Sequence, residues 1–283
     1  MNKSRSISVV VPSYNQAEFI EQTLESLLQQ NAGDLEIIVV DGGSTDGCLD
    51  IIRRYADKLA YWVSEPDRGQ SHALNKGFAR ATGRWLTWLN SDDLLLPGAL
   101  SALRARMDRE PEVALWIGGG WFIDAAGRNL RPYDPPVGLK QPSDLSDWRR
   151  CWFAQPGTLF THDLYQQAGG YVDETLHYAM DLDLWLRLLK HASPGVLTEK
   201  LSGYRLHERA KTSVLTPKAE VEIVEILMRH LGFNAVCDRV RVSAADREDY
   251  QRKLEKLESF IEPAMKLYRP IRKIWPPIRN IFN

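Results

Sequence analysis

Two adjacent carboxylates give the sharpest chemical signal in this chain. Asp92 and Asp93 follow Asn90-Ser91 at the end of a short apolar run. Paired hard oxygen donors at one turn suit Mg2+ or Mn2+. Buried together without a cation, their like charges would keep one of them protonated. A plainer reading stays open, in which Asp93 helps to cap the helix that begins near Pro97. Three more polar clusters stand in comparable places: Pro12-Ser13-Tyr14-Asn15, Asp41 with two glycines after it, and Glu65-Pro66-Asp67-Arg68-Gly69. Any one of them would pass as ordinary loop composition. Four clusters closing four apolar runs point to one shared ligand site.

The elements that must position these clusters follow from the apolar pattern. Residues 7–12, 35–40, 59–64 and 85–89 read as strands, the first two as near-continuous apolar runs, as in a parallel strand covered on both faces. Phe19, Ile20, Leu24, Leu27 and Leu28 recur at helical spacing, and residues 50–55 and 71–81 continue the alternation. A helix from Pro97 to about residue 109 then leads to a fifth strand over 113–123 and a hairpin near Gly127. The pattern predicts an α/β fold with a mostly parallel, Rossmann-like central sheet flanked by helices. Ligands of such sheets bind beyond the carboxyl ends of the strands, which is where all four clusters fall.

The second half is less regular. Residues 132–142 form a proline-rich connector, 158–161 a short strand, and 183–190 a helix apolar on nearly every side. Residues 217–231 and 244–260 read as a helical extension. On the last helix Tyr250, Leu254, Leu257 and Ile261 make a narrow apolar seam suited to a partner helix, for example in a homodimer.

Composition excludes several classes. The chain has 283 residues, 36 of them basic and 37 acidic, for a net charge of −1. That leaves no broad basic field for nucleic acid. The length alone supports a core that needs no metal or disulfide staple. Cys48, Cys151 and Cys237 are odd in number and far apart, as expected of reduced thiols in a cytoplasmic protein. No signal-peptide core and no membrane-spanning run is legible. The first strand-to-helix turn contains no glycine, which argues against a dinucleotide fingerprint and against a triphosphate-cradling loop. Gly118–Gly120 comes too late and inside a strand pattern, where close backbone packing explains it.

Taken in order, the motifs resemble family 2 glycosyltransferases of the GT-A fold. The resemblance rests on Val9-Val10-Val11-Pro12-Ser13-Tyr14-Asn15, on Ile38-Val39-Val40-Asp41-Gly42-Gly43-Ser44-Thr45-Asp46-Gly47, and on Glu65-Pro66-Asp67-Arg68-Gly69-Gln70-Ser71 with Ala73-Leu74-Asn75-Lys76-Gly77. Asn90-Ser91-Asp92-Asp93 is similar to the family's Asp-x-Asp metal motif, with Asn90 where an Asp is frequent. Met180-Asp181-Leu182-Asp183-Leu184-Trp185-Leu186-Arg187 is similar to the acceptor-side motif, with Met180 where many members have Glu. The likeness covers roughly residues 6–210.

It implies inverting transfer of a sugar from a nucleoside diphosphate sugar, UDP foremost, to a hydroxyl of a glycan or lipid-linked acceptor in cell-surface polysaccharide assembly. By the resemblance, Pro12, Tyr14, Asn15, Asp41, Asp67, Gly69, Asn75, Asn90, Ser91 and Asp92 are expected around the donor. Asp92 and Asp93, with His207 as a third ligand, are expected on Mn2+ or Mg2+. Arg205 is expected on the diphosphate and Asp181 (or else Asp183) as the base. Apart from the resemblance, Trp152 and Trp185 offer aromatic faces on which an acceptor sugar could stack, with core packing the plainer reading of Trp185. A catalytically silent nucleotide-binding or scaffold homologue is the rival. The expected division is a GT-A domain over 1–215, with a donor-binding half over 1–124 and an acceptor side over 125–215, then helices over 216–261 and a tail over 262–283. Residues 265–283 carry five basic residues, no acid and several aromatics, a composition suited to peripheral contact with the inner face of an anionic membrane.

Overall fold

The computed structural model describes residues 6–136, 138–146, 153–211 and 217–237. Trp152, the seam at 250–261 and the basic tail lie outside the described residues. In chain order the strands are β1 (Ile7–Ser13), β2 (Leu35–Asp41), β3 (Tyr61–Ser64), β4 (Trp85–Trp88), β5 (Leu94–Leu95), β6 (Leu115–Ile123), β7 (Asn129–Tyr133), β8 (Thr158–Thr161) and β9 (Gly195–Arg205). The helices are α1 (Ile20–Leu28), α2 (Cys48–Arg54), α3 (Gln70–Phe78), α4 (Ala99–Arg109), α5 (His162–Gln167), α6 (Met180–Leu188) and α7 (Pro217–Leu231).

One sheet carries all nine strands, in the order β3-β2-β1-β4-β8-β6-β9-β5, with β7 on β6. Strands β3, β2, β1 and β4 are mutually parallel, and Ser13 pairs with Asp41, which pairs with Ser64. That register brings three of the polar clusters to one edge. Val9 and Val11 of β1 pack with Ile37 and Val39 of β2 on one side of the sheet. Val10, Ile38 and Val40 pack on the other. The period of two thus feeds two cores, which is why these runs show no polar alternation.

Beyond β4 the sheet turns mixed. Strand β8 runs antiparallel to both β4 and β6, so the expected fifth parallel strand is not a neighbour of the fourth. Apolar periodicity marks a strand but not its pairing partner. Strand β9 runs parallel to β6 and ends beside it, Ile123 pairing with Arg205. That brings residues 205–207 to the edge where β1 to β4 end. The two-residue β5 and six-residue α5 are too short to leave a periodic trace.

Trp185 is a core residue, 4% exposed and stacked on Trp88 at 5.3 Å. It therefore offers no face to an acceptor sugar, because Trp88, Phe153 and Phe160 surround its ring. Helix α7 joins the same core through Ile226 and Leu227. Among the described residues no helix is long and apolar enough to cross a membrane.

Helix α3 sits unusually close to β1 at Gly77, where a Cβ would stand 2.3 Å from a methyl of Val10. Gly77→Ala is expected to cost about 1–3 kcal/mol through overpacking. A lowered urea midpoint at constant m-value would register it, and an unchanged midpoint would mean that α3 is free to shift.

Candidate active site

The floor of the site is built by loops that bond to each other. Asp41, fully buried, accepts from the backbone N of Gly43 (3.1 Å) and Ser44 (2.9 Å) and from the hydroxyls of Ser44 (2.5 Å) and Ser64 (2.7 Å). Its carboxylate is engaged by its own loop and by the end of β3, so it shapes the expected donor surface rather than facing it. Asn15, at φ +52°, donates its N–H to the Ser44 hydroxyl and accepts from Thr45 N at 2.9 Å. This bond ties the first loop to the second. Asp67 accepts from Gly69 N at 2.7 Å and lies so close to Gly42 that a Cβ there would come within 2.7 Å of its carboxylate. Tyr14 is 61% exposed above this floor. Pro12 and Ser91 are buried beneath it, so neither side chain fits the donor contact expected of it.

The two adjacent carboxylates diverge. Asp93 is 2% exposed and turned inward, accepting from Arg205 N at 2.9 Å and from the Asn90 amide at 3.2 Å. Burial first, and the charge of Asp92 second, push its pKa well above the ordinary carboxylate value. It does not fit a metal ligand. Asp92 keeps 18% of its side chain exposed and sets its Oδ2 3.0 Å from Nε2 of His207, whose ring packs on Phe19 at 4.6 Å. The turn is held from below by the buried Thr23, whose hydroxyl donates to the carbonyls of Ser91 (2.9 Å) and Asp93 (2.8 Å). Asn90 also accepts from Gln70 at 2.7 Å.

Arg205 does not fit the phosphate clamp that the resemblance implied. It is 1% exposed, and its guanidinium donates to the carbonyls of Asp92 (2.6 Å), Asp124 (3.2 Å) and Ala125 (2.7 Å) and to the Gln22 side chain (2.9 Å). Its plane also rests over Phe19 at 4.9 Å. Every guanidinium nitrogen is engaged inside the protein, so Arg205 ties the Asp92 turn to the β6–β7 hairpin.

The base candidates separate cleanly. Asp181 stands in the first turn of α6, half-buried, with one carboxylate oxygen accepting from Leu182 N at 2.8 Å. Burial raises its pKa, against the pull of that bond and of the Lys211 charge. Asp183 is locked between His230 (2.7 Å) and Arg187 (2.8 Å). Burial works upward on it, but these partners outweigh burial and hold its pKa below the usual range. Turned into the α6–α7 interface, Asp183 does not fit the base. Asn75 is likewise engaged, donating to Val172 O and Glu174 and accepting from Val172 N. It pins α3 to the loop before α6 and does not reach for a donor.

Lys211 escaped the sequence reading. Its ammonium donates to Gln70 at 3.0 Å and to His177 O at 3.4 Å. Burial lowers its pKa while Glu222, Asp67, Asp181 and Asp92 all pull it upward. The lysine therefore stands within electrostatic reach of both sides of the cleft. A lone lysine downstream of the last recognisable motif gives no spacing signal.

Similar folds carry known chemistry. Staphylococcus aureus TarS residues 1–349 in complex with UDP-GlcNAc aligns with 90% of this chain and 73% of that one, at TM-score 0.61 and 20% identity. The mannosyltransferase PcManGT of Pyrobaculum calidifontis, in complex with GDP-Man and Mn2+, aligns with 94% and 82% at TM-score 0.54 and 20% identity. The chain spans 42% of a longer TarS chain. The fold is that of GT-A glycosyltransferases. The glycosyl transferase family 2 model matches residues 8–160, and the chain belongs to that family. An uncharacterised glycosyltransferase of Rickettsia typhi is 29% identical over 219 residues, which is 76% of this chain and 68% of that one.

Proposed function

We propose that this glycosyltransferase moves a sugar, with inversion, from a nucleoside diphosphate sugar (UDP the first choice) to a hydroxyl of a glycan or lipid-linked acceptor. The observation that carries the reading is the Asp92–His207 pair at the strand edge, with the Lys211 ammonium within electrostatic reach of both Asp92 and Asp181. TarS binds UDP-GlcNAc and PcManGT binds GDP-Man with Mn2+, which supports a nucleotide-sugar donor here.

Mn2+ or Mg2+ fits the donor set. A carboxylate oxygen and an imidazole nitrogen that meet at 3.0 Å are donor types that would hold such a cation. Among the described residues no cluster of three His, Cys, Asp or Glu could enclose an ion, and diphosphate oxygens and water would complete such a shell. Held by Asp92 and His207, the cation would supply Lewis-acid stabilisation of the departing diphosphate.

The chain's own residues do the rest. Tyr14 offers a ring to the base, and the Asp41-shaped loop with Asp67 frames the ribose. Lys211 takes the diphosphate role that Arg205 cannot fill. Asp181 accepts the proton of the acceptor hydroxyl as its oxygen bonds to the anomeric carbon. The bond from that carbon to the phosphate oxygen breaks on the opposite face, and its electron pair leaves with the diphosphate.

Thermal unfolding with UDP, GDP, dTDP or CMP, each with and without Mn2+, tests the donor class. A nucleotide at 100 times its Kd adds about 2.7 kcal/mol, a rise of about 5–10 °C at this size. A metal-dependent rise with UDP is expected. A rise with GDP alone would change the nucleotide, and no rise with any would favour the scaffold reading.

A further inference from the structure

Helix α7 reaches into the acceptor side of the cleft through one carboxylate. Glu222 accepts three consecutive backbone amides, His177 N at 2.9 Å, Tyr178 N at 2.6 Å and Ala179 N at 3.0 Å. Ala179 is the N-cap of α6 and provides no side-chain cap of its own. The first N–H groups of a helix have no partner within it, and an N-cap side chain normally accepts one of them. Here a carboxylate from another helix takes the amides leading into that first turn. Its negative charge also suits the N-terminal end of the α6 dipole. Asp181 is the second residue of that helix.

The same loop is held along its length. On the donor side, Asn75 bonds Val172 and Glu174, Ser71 donates to Leu176 O at 3.2 Å, and Arg68 pairs with Glu174 at 2.6 Å. From α7, Arg229 pairs with Asp173 at 2.9 Å and approaches Asp183 at 3.6 Å. Glu222 and Arg229 lie seven residues apart, two helical turns on one face. Between them Ile226 is fully buried, so the face is anchored in the core. Three amides on one charged acceptor fix the backbone next to Asp181. Glu222 also exerts the largest pull of any acid on Lys211, so one side chain touches the setting of both groups.

We infer that Glu222 is a positioning residue for sugar transfer. By holding the amides of 177–179 it sets where the Asp181 carboxylate stands against the acceptor hydroxyl, without touching substrate itself. The inference rests on Asp181 being the base. A displacement of about 1 Å in a reacting group can cost on the order of 10²-fold in rate, while a donor bound at the strand edge keeps its own contacts.

The test compares the full chain with Glu222→Gln and Glu222→Ala. Gln keeps one carbonyl oxygen and Ala keeps none, so effects should be graded, and Gln keeps the test alive if Ala folds poorly. Amide hydrogen exchange over 177–183 is expected to quicken in the order wild type, Gln, Ala. UDP release from UDP-GlcNAc with Mn2+, water serving as acceptor, should fall about tenfold in Gln and about a hundredfold in Ala. UDP affinity should change less than turnover, because Glu222 bears on the diphosphate only through the charge of Lys211 while it bonds the backbone beside Asp181 directly. Unchanged exchange in both variants overturns the inference, as does faster exchange with wild-type turnover. Turnover surviving in Asp181→Asn would sink the base reading and with it the positioning role. The exchange data, which need no reaction, would still report the clamp and so separate the two failures.

Discussion

Asp181→Asn will bind UDP with Mn2+ as the wild type does and will transfer sugar about 10²–10⁴-fold more slowly, the usual span for a lost general base. The amide keeps the size of the side chain and can still accept from Leu182 N, the bond seen at 2.8 Å. Proton acceptance disappears, together with the negative charge that faces Lys211. Loss of nucleotide affinity in this variant would move Asp181 to the donor side and contradict the assignment. The wild type carries a second signature. Burial sets the Asp181 pKa above its ordinary value, against the opposing pull of the Leu182 amide and the Lys211 ammonium. A base acts ionised, so kcat should fall as pH drops through that raised pKa. The acid limb is therefore expected above the ordinary carboxylate value of about 3.9. An acid limb at or below that value would point to a different base.

The second large effect concerns stability. Arg205→Met should cost about 3–5 kcal/mol of unfolding free energy, the scale for removing one partner from a buried charged network. The guanidinium donates to three backbone carbonyls and to Gln22 at 1% exposure, and a thioether can replace none of those donors. A urea midpoint lowered accordingly is the expected readout. A phosphate clamp would behave in the opposite way, with stability kept and nucleotide affinity lost. That outcome would overturn the structural role given to Arg205 and return the diphosphate to it from Lys211.

These two residues mark the limits of what the sequence made legible. Strands β1, β2 and β4 announced themselves because both faces are largely buried, and the half-buried edge strand β3 followed from its apolar residues, their ends carrying Asn15, Asp41, Asp92 and Asp67. That was enough to predict the sheet and its ligand edge, while the class of chemistry came from the resemblance of the motifs to family 2 glycosyltransferases. What stayed hidden is direction. Asp92 and Asp93 are neighbours in sequence, yet one stays partly exposed beside His207 and the other accepts from Arg205 N beneath it. Asp181 and Asp183 differ by two positions on one helix, about 200° apart around its axis, and only Asp183 meets His230. No spacing rule assigns the outward member of such a pair. Arg205 and Asn75 matched the family by type but are engaged within the fold. Lys211 and Glu222 belong to no motif, because their partners are brought near only by the docking of α7 and the strand before it. The mixed half of the sheet was equally silent, since β8 pairs with β4 and β6 across long separations in sequence.

The central claim is that Asp92, with His207, holds the cation on which donor binding depends. Calorimetric titration of UDP-GlcNAc into the wild type and into Asp92→Ala, each with and without Mn2+, addresses it most directly. The account predicts Mn2+-dependent binding in the wild type that weakens at least about tenfold, a loss of about 1.4 kcal/mol, in the variant. Equal affinity with and without Mn2+ in the wild type, or wild-type affinity in Asp92→Ala, would contradict it.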